Sequence, residues 1–313
     1  MTIGIGAFGP NAGRAVFDAL AAAEKVGAGA IGGFVTYAAI GEHGEQLRSE
    51  TQRGGTSTLF TDGETTGVGP PKSFASARVA GVISSGPDRP APLAQYVPAD
   101  PRGGLVTGHR IPPTTGVDGK PMNGDVLERL VAGERAARAV DEVVAANPEG
   151  DCGLIAIDMK GGAHCRNTER VLRRPDVGTA LRRDEASGAV VAVLHNAIRP
   201  WPVLAELVAA VALDTMIGEG EPKGWVTIEA GTLIEMGPEN AVHCDPAGVA
   251  ERVTTTDPAI GERGELGAAI YLASAVYIGG ELVGRTTFEP ITSIENGRFA
   301  VLSGKTSLRM SYR

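Results

Sequence analysis

Amphipathic stretches along the chain predict its helices. After Asn11, a residue type suited to a helix start, the segment "AGRAVFDALAAAEKV" carries apolar residues on one face. The stretch "NGDVLERLVAGERAARAVDEVVAANP" predicts two short helices separated by Gly133. A further helix is predicted for "RPWPVLAELVAAVALDTM", because Pro202 lies where a first helical turn accepts proline.

Apolar runs between these segments predict the strands. The runs "GAIGGFVTYAAI", "LRSETQ" and "AVVAVLHN" are typical of strands, and "GLIAIDMKGGAHC" is typical of a hairpin. In the opening "TIGIGAFG", Ile3, Ile5 and Ala7 alternate with glycines, which places this stretch in a strand as well. Residues 84–122 are dense in proline and glycine, and we expect extended loops with few regular elements there.

The order of elements predicts the fold class and the domains. Helix, strands, helices, strands and helix follow one another without regular alternation, which favours a layered α+β sandwich over a doubly wound sheet. From about Gly218 the sequence changes to short strands and turns. We therefore expect a main domain over residues 1–217 and a small β-rich unit over residues 218–313.

The opening also contains a G-x-G-x-x-G pattern at Gly4, Gly6 and Gly9. A dinucleotide-binding loop needs a full strand before the first glycine and a helix opening at the last. Only Met1, Thr2 and Ile3 precede Gly4, so the pattern favours glycines that allow close strand packing. No cofactor is predicted.

Thr2 raises a second possibility for the same stretch. Removal of Met1 would expose Thr2, whose hydroxyl and free α-amine together form a nucleophile with its own base. An α-amine has an ordinary pKa of about 7.7–8.0, which suits proton transfer near neutral pH. Thr2 is therefore a candidate catalytic residue.

Charge and composition narrow the classes of partner and compartment. A formal charge of −8 and only 4% aromatic residues argue against a nucleic-acid partner. The chain shows neither a signal-peptide pattern nor a run of roughly 20 apolar residues, so we expect no membrane association.

Three cysteines without a C-x-x-C pair favour the cytoplasm. The five histidines lack metal-ligand spacing, and no metal site is predicted.

Several segments in order resemble one enzyme family. "GAIGGFVTYAAIGEHGEQLRSETQRGGTSTLF", "GGLVTGHR" and the helix pair followed by "GLIAIDMKGGAHCRNTE" resemble plant-type asparaginases and isoaspartyl peptidases over roughly residues 10–175. The resemblance implies an N-terminal-nucleophile-type αββα sandwich and hydrolysis of amide bonds. It also implies that Thr107 and Gly108 lie where the family builds its oxyanion hole. The residues that it places in a loop beside the substrate are Gly55, Thr56, Ser57 and Thr58.

The chain departs from that family at the nucleophile. The position that matches the catalytic threonine is Ala30, which has no nucleophilic atom. The family's T-G-x-G-E pattern is replaced by "TGHRI", which introduces His109 and Arg110 into a predicted loop. His109 is thus a candidate base, and Arg110 or Arg53 is a candidate anchor for a carboxylate.

Two functions remain open on these residues. One is an amide-bond or related acyl hydrolase for a small carboxylate-bearing substrate, with Asn196 lining the pocket or capping its own turn. The other is a catalytically silent ligand-binding or assembly protein, which Ala30 favours. The uncharged segment 266–280 would then bury against another subunit, and a homo-oligomer is expected in either case.

Overall fold

The structure is a computed structural model that describes residues 1–218, 222–261 and 266–313. The chain divides into two compact units, Met1–Gly218 and Glu219–Arg313. Helices account for 23% and strands for 39% of the structure, and both form the first unit, so the class is α+β.

Strands and helices of the first unit follow in this order along the chain. The strands are β1 (Thr2–Phe8), β2 (Phe34–Ile40), β3 (Gln46–Thr51), β4 (Thr61–Asp62), β5 (Thr65–Thr66), β6 (Val79–Ser85), β7 (Ala99–Asp100), β8 (Gly104–Arg110), β9 (Cys152–Asp158), β10 (Ala163–Asn167), β11 (Val177–Arg183) and β12 (Val190–Asn196). The helices are α1 (Ala12–Val26), α2 (Thr56–Leu59), α3 (Lys72–Ala75), α4 (Met122–Val131), α5 (Ala136–Ala146), α6 (Glu169–Leu172) and α7 (Trp201–Ile217).

Two antiparallel sheets stack face to face in this unit. The large sheet has the order β11-β12-β1-β6-β2-β3, and the small sheet has the order β10-β9-β8-β7. Helices α1 and α7 pack on the outer face of the large sheet, and α4 and α5 pack on the outer face of the small sheet. The unit therefore has four layers, with helices outside and two sheets inside, and β1 lies in the middle of the large sheet.

Strand β1 explains the opening glycine pattern. Ile3, Ile5 and Ala7 are buried against the helices, so the alternating glycines face the small sheet. A Cβ atom on Gly4 would lie 2.0 Å from the carbonyl oxygen of Gly108. This confirms the expectation that the glycines serve close packing, here between two sheets.

The predicted helices and several predicted strands are confirmed, but the loop predicted over residues 84–122 contains a strand. The region 84–122 was expected to be mostly loop, yet β8 within it is a strand of which all but the last residue is buried. Its sequence "GLVTGHR" contains glycine and polar residues. The strand can bury Thr107 and His109 because the large sheet provides hydrogen-bond partners for both. A strand with such internal partners lacks the alternating hydrophobic pattern that sequence rules detect.

The second unit is built from strands among its described residues. They are β13 (Gly224–Glu229), β14 (Leu233–Met236), β15 (Ala241–Cys244), β16 (Ala250–Thr255), β17 (Leu266–Gly267), β18 (Ala275–Ile278), β19 (Glu281–Arg285), β20 (Thr292–Glu295), β21 (Arg298–Leu302) and β22 (Ser307–Tyr312). Eight of them form one sheet in the order β17-β20-β21-β14-β16-β15-β18-β19, and β13 pairs with β22.

The segment 266–280 is buried only in part, and Leu272 within it is 60% exposed. Ala269, Ile270 and Val276 are each at most 1% exposed and pack into the hydrophobic core of the second unit. These three side chains are therefore not on offer to another subunit, and the expectation that the segment forms such a surface stays a prediction for its exposed residues. Across the parts of the chain that the structure describes, no helix has the length and apolarity needed to cross a bilayer.

Candidate functional site at the start of the central strand

Thr2 begins the central strand of the large sheet. It pairs with Asn196 of β12 on one side and with Ser85 of β6 on the other. Strand alternation puts its side chain on the same face as Gly4, toward the small sheet. Thr2 is only 1% exposed, whereas the preceding Met1 is 45% exposed. Loss of Met1 would thus leave Thr2 at the end of the sandwich.

Arg89 contacts the hydroxyl of Thr2. Its Nη2 donates to Thr2 Oγ1 at 3.2 Å, and its Nε donates to Ser85 Oγ at 3.2 Å. The guanidinium also lies 5.8 Å from the ring centroid of Tyr96, a cation–π distance. Within the described ranges, no Asp or Glu carboxylate lies within 4.0 Å of Arg89. This partly buried cation is therefore bound only by hydroxyls and a ring.

The main chain of Arg89 is fixed by Gln52, which follows β3. Gln52 Nε2 donates to the Arg89 carbonyl at 2.7 Å, and the Arg89 amide donates to Gln52 Oε1 at 3.0 Å. Sequence analysis missed Arg89 because it lies in "SSGPDRPAP", a loop like several others. Its contact with the Thr2 hydroxyl, which sets it apart, is a three-dimensional property.

His109 joins the two sheets beside Thr2. Its Nδ1 lies 3.3 Å from Oδ1 of Asn196 on the large sheet, and its Nε2 lies 2.7 Å from Oδ1 of Asn167 on the small sheet. The expected loop position is wrong, because His109 lies on β8 and is fully buried. Burial lowers the pKa of His109 to about 4, so the ring is neutral at physiological pH. A neutral ring carries one N–H, so it donates to one of these two amide oxygens and lies in contact with the other.

Two further arginines lie at this end of the sandwich, each with a carboxylate. Arg110 forms a two-contact ion pair with Asp151, in which Nη2 and Oδ2 are 2.9 Å apart. Arg174 pairs with Asp176 at 2.7 Å. Burial lowers the pKa of the Met1 α-amine, Arg89, Arg110 and Arg174 lower it further, and Asp176 raises it. The arginines thus contribute to the lowered pKa of the amine at the chain start.

Thr107 and Gly108 lie inside the sheet interface. The hydroxyl of Thr107 donates to the Val82 carbonyl at 2.9 Å and is fully buried. The Gly108 carbonyl lies against Gly4 of the opposite sheet. These contacts engage the Thr107 hydroxyl, so the geometry does not favour it as an oxyanion donor.

The segment expected to be a loop beside the substrate is partly the short helix α2. Its hydroxyl groups are engaged nearby, because Thr56 contacts Glu24, Ser57 donates to the Gly54 carbonyl and Thr58 donates to the Arg53 carbonyl. Gly55 adopts φ 57°, and its amide donates to the Gly33 carbonyl. The Arg53 side chain is 83% exposed and pairs with Asp88. The segment lies next to the site, since Arg53 pairs with the residue before Arg89 and the preceding Gln52 contacts the Arg89 main chain.

Ala30, which matches the family's nucleophile position, lies beside the chain start. Its amide donates to Sδ of Met1 at 2.9 Å. The position expected for the nucleophile and the residue that precedes Thr2 are therefore in contact.

The cysteines do not provide another nucleophile. Burial raises the pKa values of Cys152, Cys165 and Cys244 to about 12, so their thiols stay protonated and unreactive at neutral pH. Among the residues that the structure describes, no group of three or more His, Cys, Asp or Glu side chains is arranged to hold a metal ion.

Comparison with protein families covers most of the chain. Residues 2–225 match a family model described as a domain of unknown function, DUF6963. The chain belongs to that family. Residues 231–307 match a second model with the same description, DUF7259. Neither a curated protein nor a solved structure matches the chain. Every residue of the site around Thr2 lies within the part of the chain that matches DUF6963.

Proposed function

We propose that the DUF6963 unit is an amide-bond hydrolase for a small carboxylate-bearing substrate, with Thr2 as the nucleophile. The observation that carries the proposal is the contact between the Thr2 hydroxyl and Arg89, an arginine without a carboxylate partner among the described residues. Cleavage of the Met1–Thr2 bond gives Thr2 the free α-amine that an N-terminal nucleophile requires.

The proposed reaction uses groups that meet at the start of β1. The α-amine of Thr2 takes the hydroxyl proton while Oγ1 attacks the amide carbonyl carbon, and the carbonyl oxygen gains the negative charge. The C–N bond then breaks, the amine leaves with the transferred proton, and an ester to Thr2 remains. Water hydrolyses this ester, which releases the acid and restores the hydroxyl. Burial and three arginines lower the pKa of the Met1 α-amine, and the same surroundings would favour the neutral form of an amine at Thr2.

Fold and surroundings support the same proposal. We infer that the first unit is an N-terminal-nucleophile-type αββα sandwich, since it has helix, sheet, sheet and helix layers and a hydroxyl residue at the start of a central strand. Free cysteines support a cytoplasmic location. Exposed apolar side chains on α7, Val203 and Leu207 among them, support a homo-oligomer.

A silent ligand-binding protein is the second candidate. One point favours it: the resemblance to asparaginases aligns their catalytic threonine with Ala30, which has no nucleophilic atom. In this second candidate function, the Arg89 site binds a ligand and no bond of the ligand is broken.

The mass of the purified, untagged protein tests the proposal, together with turnover on a panel of aliphatic amides. We expect a chain that begins at Thr2 and releases ammonia or amine from at least one amide. A chain that hydrolyses amides while retaining Met1 would contradict an N-terminal nucleophile. A chain that begins at Thr2, hydrolyses none of them and is stabilised by carboxylates would favour the silent candidate.

A further inference from the structure

The charged side chains around Thr2 differ in whether they already have a partner. Four carboxylates lie at this end of the sandwich, and each already has a partner: Asp88 with Arg53, Asp151 with Arg110, Asp176 with Arg174, and Glu24 with the amide and hydroxyl of Thr56. Arg89, which contacts the Thr2 hydroxyl, has no ionic partner among the described residues. The Thr2 hydroxyl thus lies beside a cation that is not neutralised, whereas these four carboxylates are already engaged.

The carboxylates are also held in ways that resist recruitment by a ligand. Arg110 and Arg174 each bind their carboxylate through two nitrogens, the geometry that makes arginine–carboxylate pairs strong. Glu24 accepts both the amide and the hydroxyl of Thr56. An ammonium group on a ligand would have to break one of these arrangements while it lay in the field of several arginines.

We propose that the site selects an anionic substrate that carries a carboxylate and lacks an ammonium group, and that Arg89 binds the carboxylate. This inference rests on the proposed function and deepens it by naming the substrate class. The class is that of dicarboxylic monoamides and N-acylated amino acids, as opposed to zwitterionic amino acids. Arginine suits this role because its planar fork binds a carboxylate through two N–H groups.

Matched acids that differ by one ammonium group test the inference. Succinate and L-aspartate have the same carbon chain and the same two carboxylates, and calorimetric titration of the full chain measures the affinity for each. We expect succinate to bind at least tenfold more tightly than L-aspartate. L-aspartate that binds as tightly as succinate or more tightly would overturn the inference, and so would a lack of binding by both acids.

Substitutions of Arg89 test whether this residue binds succinate. Arg89→Gln should weaken succinate binding at least tenfold, and Arg89→Lys should retain part of it because the charge remains. Arg138→Gln removes an arginine from the outer face of α5, where the side chain is 70% exposed, and should leave the affinity unchanged. A thermal melt of each variant verifies folding. Unchanged succinate affinity in folded Arg89→Gln would overturn the assignment.

Separate measurements of binding and hydrolysis distinguish an error in the substrate class from an error in the proposed function. Thr2→Ala should still bind succinate, because the acid needs no nucleophile. If succinate is preferred but no amide is hydrolysed, the anion site stands and the hydrolase proposal fails. If Thr2-dependent hydrolysis occurs and L-asparagine is a better substrate than succinamate, the hydrolase proposal stands and the inference fails.

Discussion

Arg89 Nη2 lies 3.2 Å from Thr2 Oγ1, where the central strand of the large sheet begins. The same guanidinium donates to Ser85, the neighbour of Thr2 on β6, so one cation spans two adjacent strands. A positive group beside a hydroxyl can hold the carboxylate of a substrate next to it. Thr2 therefore combines a strand-end position, a nearby cation and an α-amine that one cleavage would free.

The first prediction concerns the hydroxyl of Thr2. Thr2→Ala removes the nucleophile, and we expect amide turnover to fall by roughly 10³-fold or more while the fold is retained. Thr2→Ser keeps the hydroxyl and should retain measurable activity. Initial rates on the best amide of a panel, with the intact mass of each variant, provide the measurement. Equal rates for Thr2→Ala and the wild type would remove Thr2 from the mechanism.

The second prediction concerns Gln52, which holds the main chain of Arg89. Gln52→Ala loses two hydrogen bonds, and we expect the free energy of unfolding to fall by about 1–2 kcal/mol. Succinate affinity should fall several-fold, because Arg89 is then less well positioned. Gln46→Ala, at an exposed position of β3, is the matched control and should change the free energy of unfolding by less than about 0.5 kcal/mol. Urea denaturation and calorimetric titration measure the two quantities.

Much of the fold follows from the sequence because many elements are locally determined. The predicted helix after Asn11 is α1, and "GLIAIDMKGGAHC" forms the β9–β10 hairpin. These elements carry one apolar face each, and that pattern is visible without knowledge of the partners. Strand β8 lacks it, since His109 and Thr107 are satisfied by residues of the other sheet.

The site was only partly predictable for the same reason. Thr2, His109 and Asn196 were named from the sequence, and the structure brings Asn196 into contact with the other two. The carboxylate anchor was sought at Arg53 or Arg110, which turn out to be paired with Asp88 and Asp151. Whether an arginine is paired depends on residues far away in the chain, and sequence patterns carry no such information.

The third prediction concerns the pH dependence of stability. The pKa of His109 is lowered from 6.5 to about 4 by burial, so the unfolded chain binds more protons between these two pH values. Neutral His109 thus contributes stability that is fully present above pH 6.5 and is lost as the pH falls toward 4, by about 3 kcal/mol in total.

His109→Gln removes this titration while its amide can still reach Asn167. We expect the free energy of unfolding of the variant to depend less steeply on pH, by up to about 1.4 kcal/mol per pH unit between pH 6 and pH 4.5. Denaturant unfolding at several pH values gives the two slopes. Parallel curves for the variant and the wild type would show that His109 is not the group that titrates.

The fourth prediction concerns the contact between the sheets at Gly4. A Cβ atom there would lie 2.0 Å from the Gly108 carbonyl oxygen, and both partners are backbone atoms of buried strands that have no room to shift. Gly4→Ala should therefore cost more than the ~1–3 kcal/mol of ordinary overpacking, or prevent folding. Gly124→Ala on α4 is the control: its Cβ would meet only Pro121 at 3.7 Å, so the variant should be up to about 1 kcal/mol more stable than the wild type. Thermal melts compare the three proteins, and a wild-type melting temperature for Gly4→Ala would mean that the sheets do not approach each other closely at this glycine.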